Sequence, residues 1–313
     1  MSDSAAAKAP HILCIGIPVR DLVFKVKALP PRGDKAQASH FEEICGGNAL
    51  NAAIAISRLD GRVSMCGPMG HESERGAEFL FEQLAREGIA TDRLVHMPDI
   101  ITPISNVMID DSGERTIVTF RDPRLWDVKL PDADDLLDGV DAILTESRCA
   151  GFVTGVCAEA KARGIPVVID ADLTMSLREG LLSVSSHIIF SREALHATAN
   201  VTDDAQALRR IAAVTSAFVA VTAGPAGMIW LDEHGAPQHM PAFPVHTVDT
   251  LGAGDVFHGA FTLAMAEGQG IRDAMRFASA AAALKCTRFG GAFAAPDRAE
   301  VAALLARGST VAG

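Results

Sequence analysis

A chain of 313 residues, 49% hydrophobic and 21% charged, is long enough for a large buried core and too apolar for a disordered or fibrous protein. Its formal charge of -11 excludes non-specific nucleic-acid binding, which needs a basic face to release counterions. No apolar run reaches the ~18 residues that span a bilayer, so a membrane is not among the expected partners.

The first ten residues are Ala-rich, lack the charged-then-apolar order of a signal peptide, and read as a frayed tail. From His11-Ile-Leu-Cys-Ile15 onward, short apolar runs alternate with helical patterns: a helix from Asn48 to Leu59, a strand at Val63-Ser-Met-Cys66, a helix from Ala77 to Glu87. Strands follow at Ala142-Ile-Leu-Thr145, Pro166-Val-Val-Ile-Asp170, His187-Ile-Ile-Phe190 and Ala217-Phe-Val-Ala-Val-Thr222, each beside a helix candidate. Such βα alternation predicts one α/β unit, 1–313, with a central, mostly parallel sheet flanked by helices on both faces.

Two stretches, 19–44 and 101–121, break the alternation and read as a small added sheet. In the second, Ser105-Asn-Val-Met-Ile109 and Arg115-Thr-Ile-Val-Thr-Phe120 flank Asp110-Asp-Ser-Gly113, a hairpin pattern in which Gly113 supplies a positive φ. Six cysteines, Cys14, Cys45, Cys66, Cys149, Cys157 and Cys286, are scattered without metal-ligand spacing and suit reduced thiols in a cytoplasm.

Most chemistry is concentrated in Asp249-Thr-Leu-Gly-Ala-Gly-Asp255, which runs into an apolar helical pattern. Gly252, Ala253 and Gly254 carry little or no side chain, so their amides can close on phosphate oxygens at a helix N-terminus, where the dipole favours negative charge. Asp255 follows in the first turn, placed to act as general base toward a hydroxyl beside that phosphate. An isolated Gly-x-Gly-Asp is more often a plain helix cap. Here it has company in Cys45-Gly-Gly-Asn-Ala-Leu-Asn51, another glycine-led helix entry. Neither a Walker loop nor a dinucleotide fingerprint after the first strand is present, which argues against P-loop kinases and dinucleotide dehydrogenases.

Together these two motifs resemble those of the ribokinase-like, or PfkB, carbohydrate kinases, and the resemblance covers residues 11–305. It implies the ribokinase-like fold with the small sheet as a lid, and transfer of phosphate from ATP with Mg²⁺ to a sugar hydroxyl. It also implies sugar contacts at Asp21, Gly46, Gly47 and Asn51. A Gly-Gly pair allows close backbone approach, and Asp and Asn supply the donors and acceptors that a polyol needs. Nucleotide contacts are implied at Thr222, Gly224 and Gly227 in Val221-Thr-Ala-Gly-Pro-Ala-Gly227, and at Ser279 and Gly290 near an adenine pocket. The resemblance also implies a monovalent cation such as K⁺ near Asp249, and apolar residues expected on the lid suit pairing of two subunits into a homodimer.

The pattern departs from the family at Ser191-Arg-Glu-Ala194, where many members have Asn-x-x-Glu; Ser191 replaces part of the Asn role and Ala194 removes the carboxylate. How a metal is held is therefore left open. Asp60 stands in place of a usual Gly, at a position where Asp tolerates unusual backbone angles.

Lys35, Arg121 and Arg148 are three cations expected to converge on the far end of a bound sugar, suiting a carboxylate, phosphate or sulfonate; the plain alternative is solvated surface charge. Within the family, Cys14-Ile-Gly-Ile-Pro-Val-Arg-Asp21 and Gly254-Asp-Val-Phe-His-Gly-Ala260 look most like sulfofructose kinases, with Thr119 where members of that subgroup carry Asn. The expected reaction is thus phosphorylation of the C1 hydroxyl of 6-deoxy-6-sulfofructose, with fructose and 2-keto-3-deoxygluconate as alternative substrates. A nucleoside kinase would need aromatic stacking beyond Phe24, Phe41 and Phe120. A sugar-binding regulatory protein on the same fold is the alternative of another class.

Overall fold

The computed structural model describes residues 8–308 apart from Gly113 and Glu179. The expected tail before residue 8 and the backbone angle expected of Gly113 lie outside the described residues.

The chain opens with β1 (His11–Ile15), then β2 (Val19–Lys25) and β3 (His40–Gly46), helix α1 (Asn48–Arg58), β4 (Arg62–Met69), α2 (Arg75–Arg86) and β5 (Ala90–His96). The hairpin β6 (Ile104–Ile109) and β7 (Arg115–Phe120) follows. Four βα units come next: α3 (Ala133–Leu137), β8 (Ala142–Glu146), α4 (Ala150–Ala162), β9 (Val167–Ala171), α5 (Gly180–Val184), β10 (His187–Ser191), α6 (Arg192–Ala199), α7 (Asp204–Ala212) and β11 (Phe218–Thr222). The chain closes with β12 (Met228–Leu231), β13 (Pro237–Met240), α8 (Ala253–Ala266), α9 (Ile271–Cys286) and α10 (Arg298–Gly308).

Nine strands form the main sheet in the order β13-β12-β11-β10-β9-β8-β1-β4-β5. All pairings are parallel except those of the edge hairpin β12 and β13. Side chains alternate between faces along each strand. Ile12 and Cys14 of β1 accordingly join the core under α1, α2, α8 and α9, whereas Leu13 and Ile15 join the core under α4, α6 and α7. Burial on both faces explains why these strands read as continuous apolar runs. β5 and the β12–β13 hairpin had no such run and were not expected; Ala90–His96 is mostly half-exposed and polar, as suits an edge strand.

The second sheet, β3-β2-β6-β7, coincides with the two stretches that broke the alternation. Its own core is small, built on Val23, Ile44 and Val107. The β6–β7 hairpin is antiparallel, and the Asp110 carboxylate organises its turn by accepting from the amides of Ser112 and Glu114 (2.9 and 3.1 Å). At the end of α1, Asp60 takes a φ of 65°, the left-handed geometry expected where the family carries Gly.

Strand order reverses at β1, between β8 and β4. In open parallel sheets ligands bind at the carboxyl ends of strands flanking such a switch. Those ends here deliver Glu146 from β8, Asp170 from β9, Ser191 from β10 and Thr222 from β11 to one place, where α1 and α8 also begin.

Candidate active site

A cavity of about 470 Å³ opens between the strand ends and the small sheet. Asp21, Asn51, Arg121, Arg148, Thr222 and Asp255 are among its walls.

The floor is set by two helix starts. α8 begins behind Gly252, which caps it with φ 77°, a left-handed conformation that favours glycine. The amides of Gly254 and Asp255 sit in the first turn and have no intrahelical carbonyl to bind. The Ala253 amide, expected to face phosphate with those of Gly252 and Gly254, donates to the Thr250 carbonyl oxygen at 3.2 Å. Gly47 caps α1 with φ 93°, and a Cβ there would lie 2.3 Å from the Ile17 carbonyl oxygen. Gly259 lets α8 lie against α1, since its Cβ would fall 2.5 Å from the Ala52 carbonyl oxygen. That close approach brings Asn51 Nδ2 within 2.7 Å of Asp255 Oδ2, to which it donates. Asn51 Oδ1 is buried without a partner. A substrate hydroxyl is the group that would satisfy it.

Asp255 is half-buried, and its carboxyl is pushed up to about 7, first by desolvation and then by the neighbouring Asp170, against the pull of Asn51. Behind it, Asp170 accepts from Asn48 Nδ2 at 3.0 Å, and His258 Nε2 lies 3.6 Å from its other oxygen. Both ring nitrogens of His258 face carbonyl oxygens, Gly254 at 2.7 Å and Ile189 at 3.2 Å. A base close to neutrality beside free helix amides is suited to taking a proton from a hydroxyl attacking a phosphoryl group.

At the sugar end, Asp21 lies over Gly46, where a Cβ would fall 2.1 Å from Asp21 Oδ2. Burial raises the Asp21 carboxyl to about 6, while the Ser105 hydroxyl and Arg121 pull it down. The Ser105 and Thr119 hydroxyls share a hydrogen bond of 3.0 Å. Arg148 is an ion-pair hub: its Nε lies 2.7 Å from Glu146 Oε2, though poorly aligned for a hydrogen bond, and its Nη2 lies 2.6 Å from Asp172 Oδ2. Glu146 is itself buried beneath Gly16 and accepts from the Ile17 amide at 3.2 Å. Arg121 is different. Its Nε is buried without a partner, and burial, then the charge of Arg148, lowers its pKa.

Of the three expected cations Arg121 and Arg148 line the cavity, whereas Lys35 sits on an exposed loop and lines no part of it; Arg115 of β7 stands on the wall in its place. Of the six residues expected to contact the nucleotide, the structure brings Ser191 and Thr222 to the cavity wall. Ser191 Oγ caps α6 by accepting from the Ala194 amide at 3.2 Å, and Glu193 points to solvent. The other four residues lie off that wall. Gly224 and Gly227 take positive φ values in the turn from β11 to β12, and a Cβ on Gly227 would lie 2.1 Å from the Met240 carbonyl oxygen. Ser279 is buried within α9, and the Gly290 amide donates to the Asp249 carboxylate at 3.3 Å. Among the described residues no group of three or more His, Cys, Asp or Glu stands where it could hold a metal.

Asn48, Glu146, Asp170, Asp172 and His258 were not singled out from sequence. Asp170 carried a readable signal, a carboxylate at the end of an apolar strand, as did Glu146, and Asp172 follows just past the end of β9; Asn48 and His258 are brought in by the packing of α1 and α8.

The sequence matches the pfkB family carbohydrate kinases over residues 9–298. It is 26% identical to the ribokinase of Bacillus subtilis (strain 168) across 94% of this chain and 99% of that one. To fructokinase-2 of Oryza sativa subsp. japonica it is 27% identical across 97% and 96%. Among solved structures it superposes with a TM-score of 0.91 on a candidate ribokinase from Agrobacterium tumefaciens, 35% identical over 97% of this chain and 99% of that chain. A fructokinase with bound ATP from Xylella fastidiosa gives a TM-score of 0.81 at 25% identity over 96% and 99%. The two glycine-led helix starts, Asp255 in the first turn of α8 and this match along nearly the whole chain give one answer: the protein belongs to the pfkB family of carbohydrate kinases and is an ATP-dependent sugar kinase.

Proposed function

We propose that the sugar is a ketose carrying an anionic group at the end remote from the reacting hydroxyl, with 6-deoxy-6-sulfofructose phosphorylated at C1 as the leading candidate. The observation that carries this reading is the buried, unpartnered Nε of Arg121 on the cavity wall, next to the Arg148 hub. A guanidinium whose buried nitrogen lacks an acceptor costs free energy that a sulfonate, carboxylate or phosphate would recover through charge-assisted hydrogen bonds.

In this reading Asp21, Asn51 and the Gly46–Gly47 backbone hold the sugar hydroxyls, and Arg121 the anionic end. Asp255 takes the proton of the primary hydroxyl as it attacks the γ-phosphate, and the amides of Gly252, Gly254 and Asp255 stabilise the transferring charge. Ser191 and Thr222 face the nucleotide, with Gly224, Gly227, Ser279 and Gly290 shaping its pocket from behind. The small sheet acts as a lid that excludes water once sugar is bound, so ATP hydrolysis without sugar is slow.

A second reading, fructose itself, is supported by the ion pairs of Arg148 with Glu146 and Asp172, which offset its charge, and by the fructokinase relatives. Nucleosides are disfavoured because Phe24, Phe41 and Phe120 stand off the cavity wall. Exposed Ile117, Val118 and Phe120 on edge strand β7 support pairing of two subunits through the lid. The six free cysteines, five of them buried, support a cytoplasmic setting.

ATP consumption measured with sulfofructose, fructose, ribose and 2-keto-3-deoxygluconate across concentration tests the reading. Preference for sulfofructose assigns Arg121 to the sulfonate; preference for fructose or ribose removes that assignment and leaves the kinase chemistry in place. ATP turnover that survives Asp255→Ala would overturn the mechanism and favour a regulatory sugar-binding protein.

A further inference from the structure

Lys285 is among the largest fully buried side chains of the described residues, with 0% exposure, and the mechanism above does not use it. Lysines are almost never buried to this degree unless paired. Its partner is Asp249: Lys285 Nζ donates to the Asp249 carbonyl oxygen at 2.8 Å and to Oδ2 at 2.9 Å. The same Oδ2 accepts from the amides of Gly290 and Gly291, both at 3.3 Å, and Oδ1 accepts from the Leu251 amide at 2.8 Å. The Cys286 carbonyl oxygen, next to Lys285, accepts from the amides of Val248 and Asp249 (2.8 and 3.2 Å).

One ammonium group thus ties the C-terminal end of α9 to the segment that enters α8. Only Thr250 and Leu251 separate Asp249 from Gly252, where the phosphate-facing amides begin. A shift at Asp249 would move those amides, and positioning errors of about 1 Å at such sites cost orders of magnitude in rate.

The resemblance implied a monovalent cation near Asp249, and the residues present do not fit one. The carbonyl and carboxylate oxygens of Asp249 converge on a position already filled by Nζ at hydrogen-bond distance. A second positive charge beside the ammonium would be repelled in a buried site. We propose that Lys285 is a positioning residue, a cation supplied by the chain itself that fixes the anion-hole segment and makes the kinase independent of monovalent cations.

This proposal holds for whichever sugar is turned over, so a wrong substrate assignment does not touch it. The test compares wild-type enzyme with Lys285→Met in buffers whose monovalent cation is K⁺, NH₄⁺, Na⁺ or tetramethylammonium, with Mg²⁺ and ATP constant. Wild-type kcat is expected to be equal in all four. Lys285→Met should lose on the order of 10²-fold in kcat, comparable to removal of one oxyanion donor, with the sugar KM little changed. K⁺ or NH₄⁺, small enough to enter the vacated position, should restore part of that loss, and tetramethylammonium should not.

Several-fold stimulation of wild type by K⁺ would overturn the proposal, as would a Lys285→Met enzyme with wild-type kcat. A loss confined to KM, or one that no cation restores, would also overturn it by reducing Lys285 to a structural tie. If Lys285→Met does not fold, the wild-type cation series decides alone.

Discussion

The two ends of the cavity are built on opposite plans. At the phosphate end, the described polar side chains largely satisfy one another: Asn51 holds Asp255, Asn48 holds Asp170, and Lys285 holds Asp249. Packed helices, with Gly259 at the α1–α8 contact, fix those groups. At the sugar end the small sheet has a three-residue core, leaves Ile117, Val118 and Phe120 largely exposed, and presents an Arg121 Nε without a partner. The groups around Asp255 are held by one another, whereas Arg121 is left for a ligand to complete. That division suits a kinase that must not hydrolyse ATP before its sugar arrives.

Substitutions can separate the two ends, and the largest effect belongs to the phosphate end. Asp255→Asn keeps the size and the contact to Asn51 but removes the base, and kcat is expected to fall by about 10³–10⁴-fold with sugar KM nearly unchanged. A loss below tenfold in steady-state kinetics would show that the base lies elsewhere. The same variant should be more stable than wild type at pH 8. The Asp255 carboxyl stands at about 7 in the fold against 3.8 ordinarily, so the folded state keeps a proton that the unfolded chain has lost. This favourable contribution is complete below the ordinary value and is lost as pH rises through about 7. Removing the acid should recover about 1–3 kcal/mol at pH 8, measurable by denaturant unfolding, and nothing at pH 4.

Next comes Gly47. Its φ of 93° and the Ile17 carbonyl oxygen 2.3 Å from any Cβ predict that Gly47→Ala destabilises the fold by about 2–3 kcal/mol, visible as a lowered Tm. An unchanged Tm would mean that the α1 entry is looser than its geometry indicates. At the sugar end, Arg121→Met should raise KM for an anionic sugar by about 10–100-fold and leave that for fructose within about twofold. Equal changes for both sugars would place Arg121 in lid structure instead of recognition.

The gentlest probe is pH. With Asp255 near 7, log kcat/KM should climb with unit slope toward pH 7 and level off above it, since only the ionised carboxylate accepts the hydroxyl proton. A profile flat from pH 5.5 upward would mean that ligand binding expels the influence of Asp170 and restores an ordinary carboxylate.

Periodicity and motif chemistry made much of this molecule readable in advance. The apolar runs that became β1, β8, β9, β10 and β11 announced themselves because a strand buried on both faces has no polar alternation to confuse it. β5 escaped notice because an edge strand is half-solvated. The helix start at Gly252–Asp255 was legible because an anion hole needs small residues and a carboxylate in consecutive positions, a local requirement written locally. Asp60 was likewise legible from its own backbone tolerance.

What the chain could not declare one position at a time is everything that depends on distance across the fold. Lys285 and Asp249 are 36 residues apart, and Asn51 and Asp255 are 204 apart. Which cation lines the cavity, Arg121 instead of Lys35, followed from how the second sheet folds over the first. Local sequence sets backbone geometry and the chemistry of a single turn, because those depend on neighbouring residues. Burial, ion pairing and pKa are set by whatever the fold packs alongside, and the tertiary structure alone decides them.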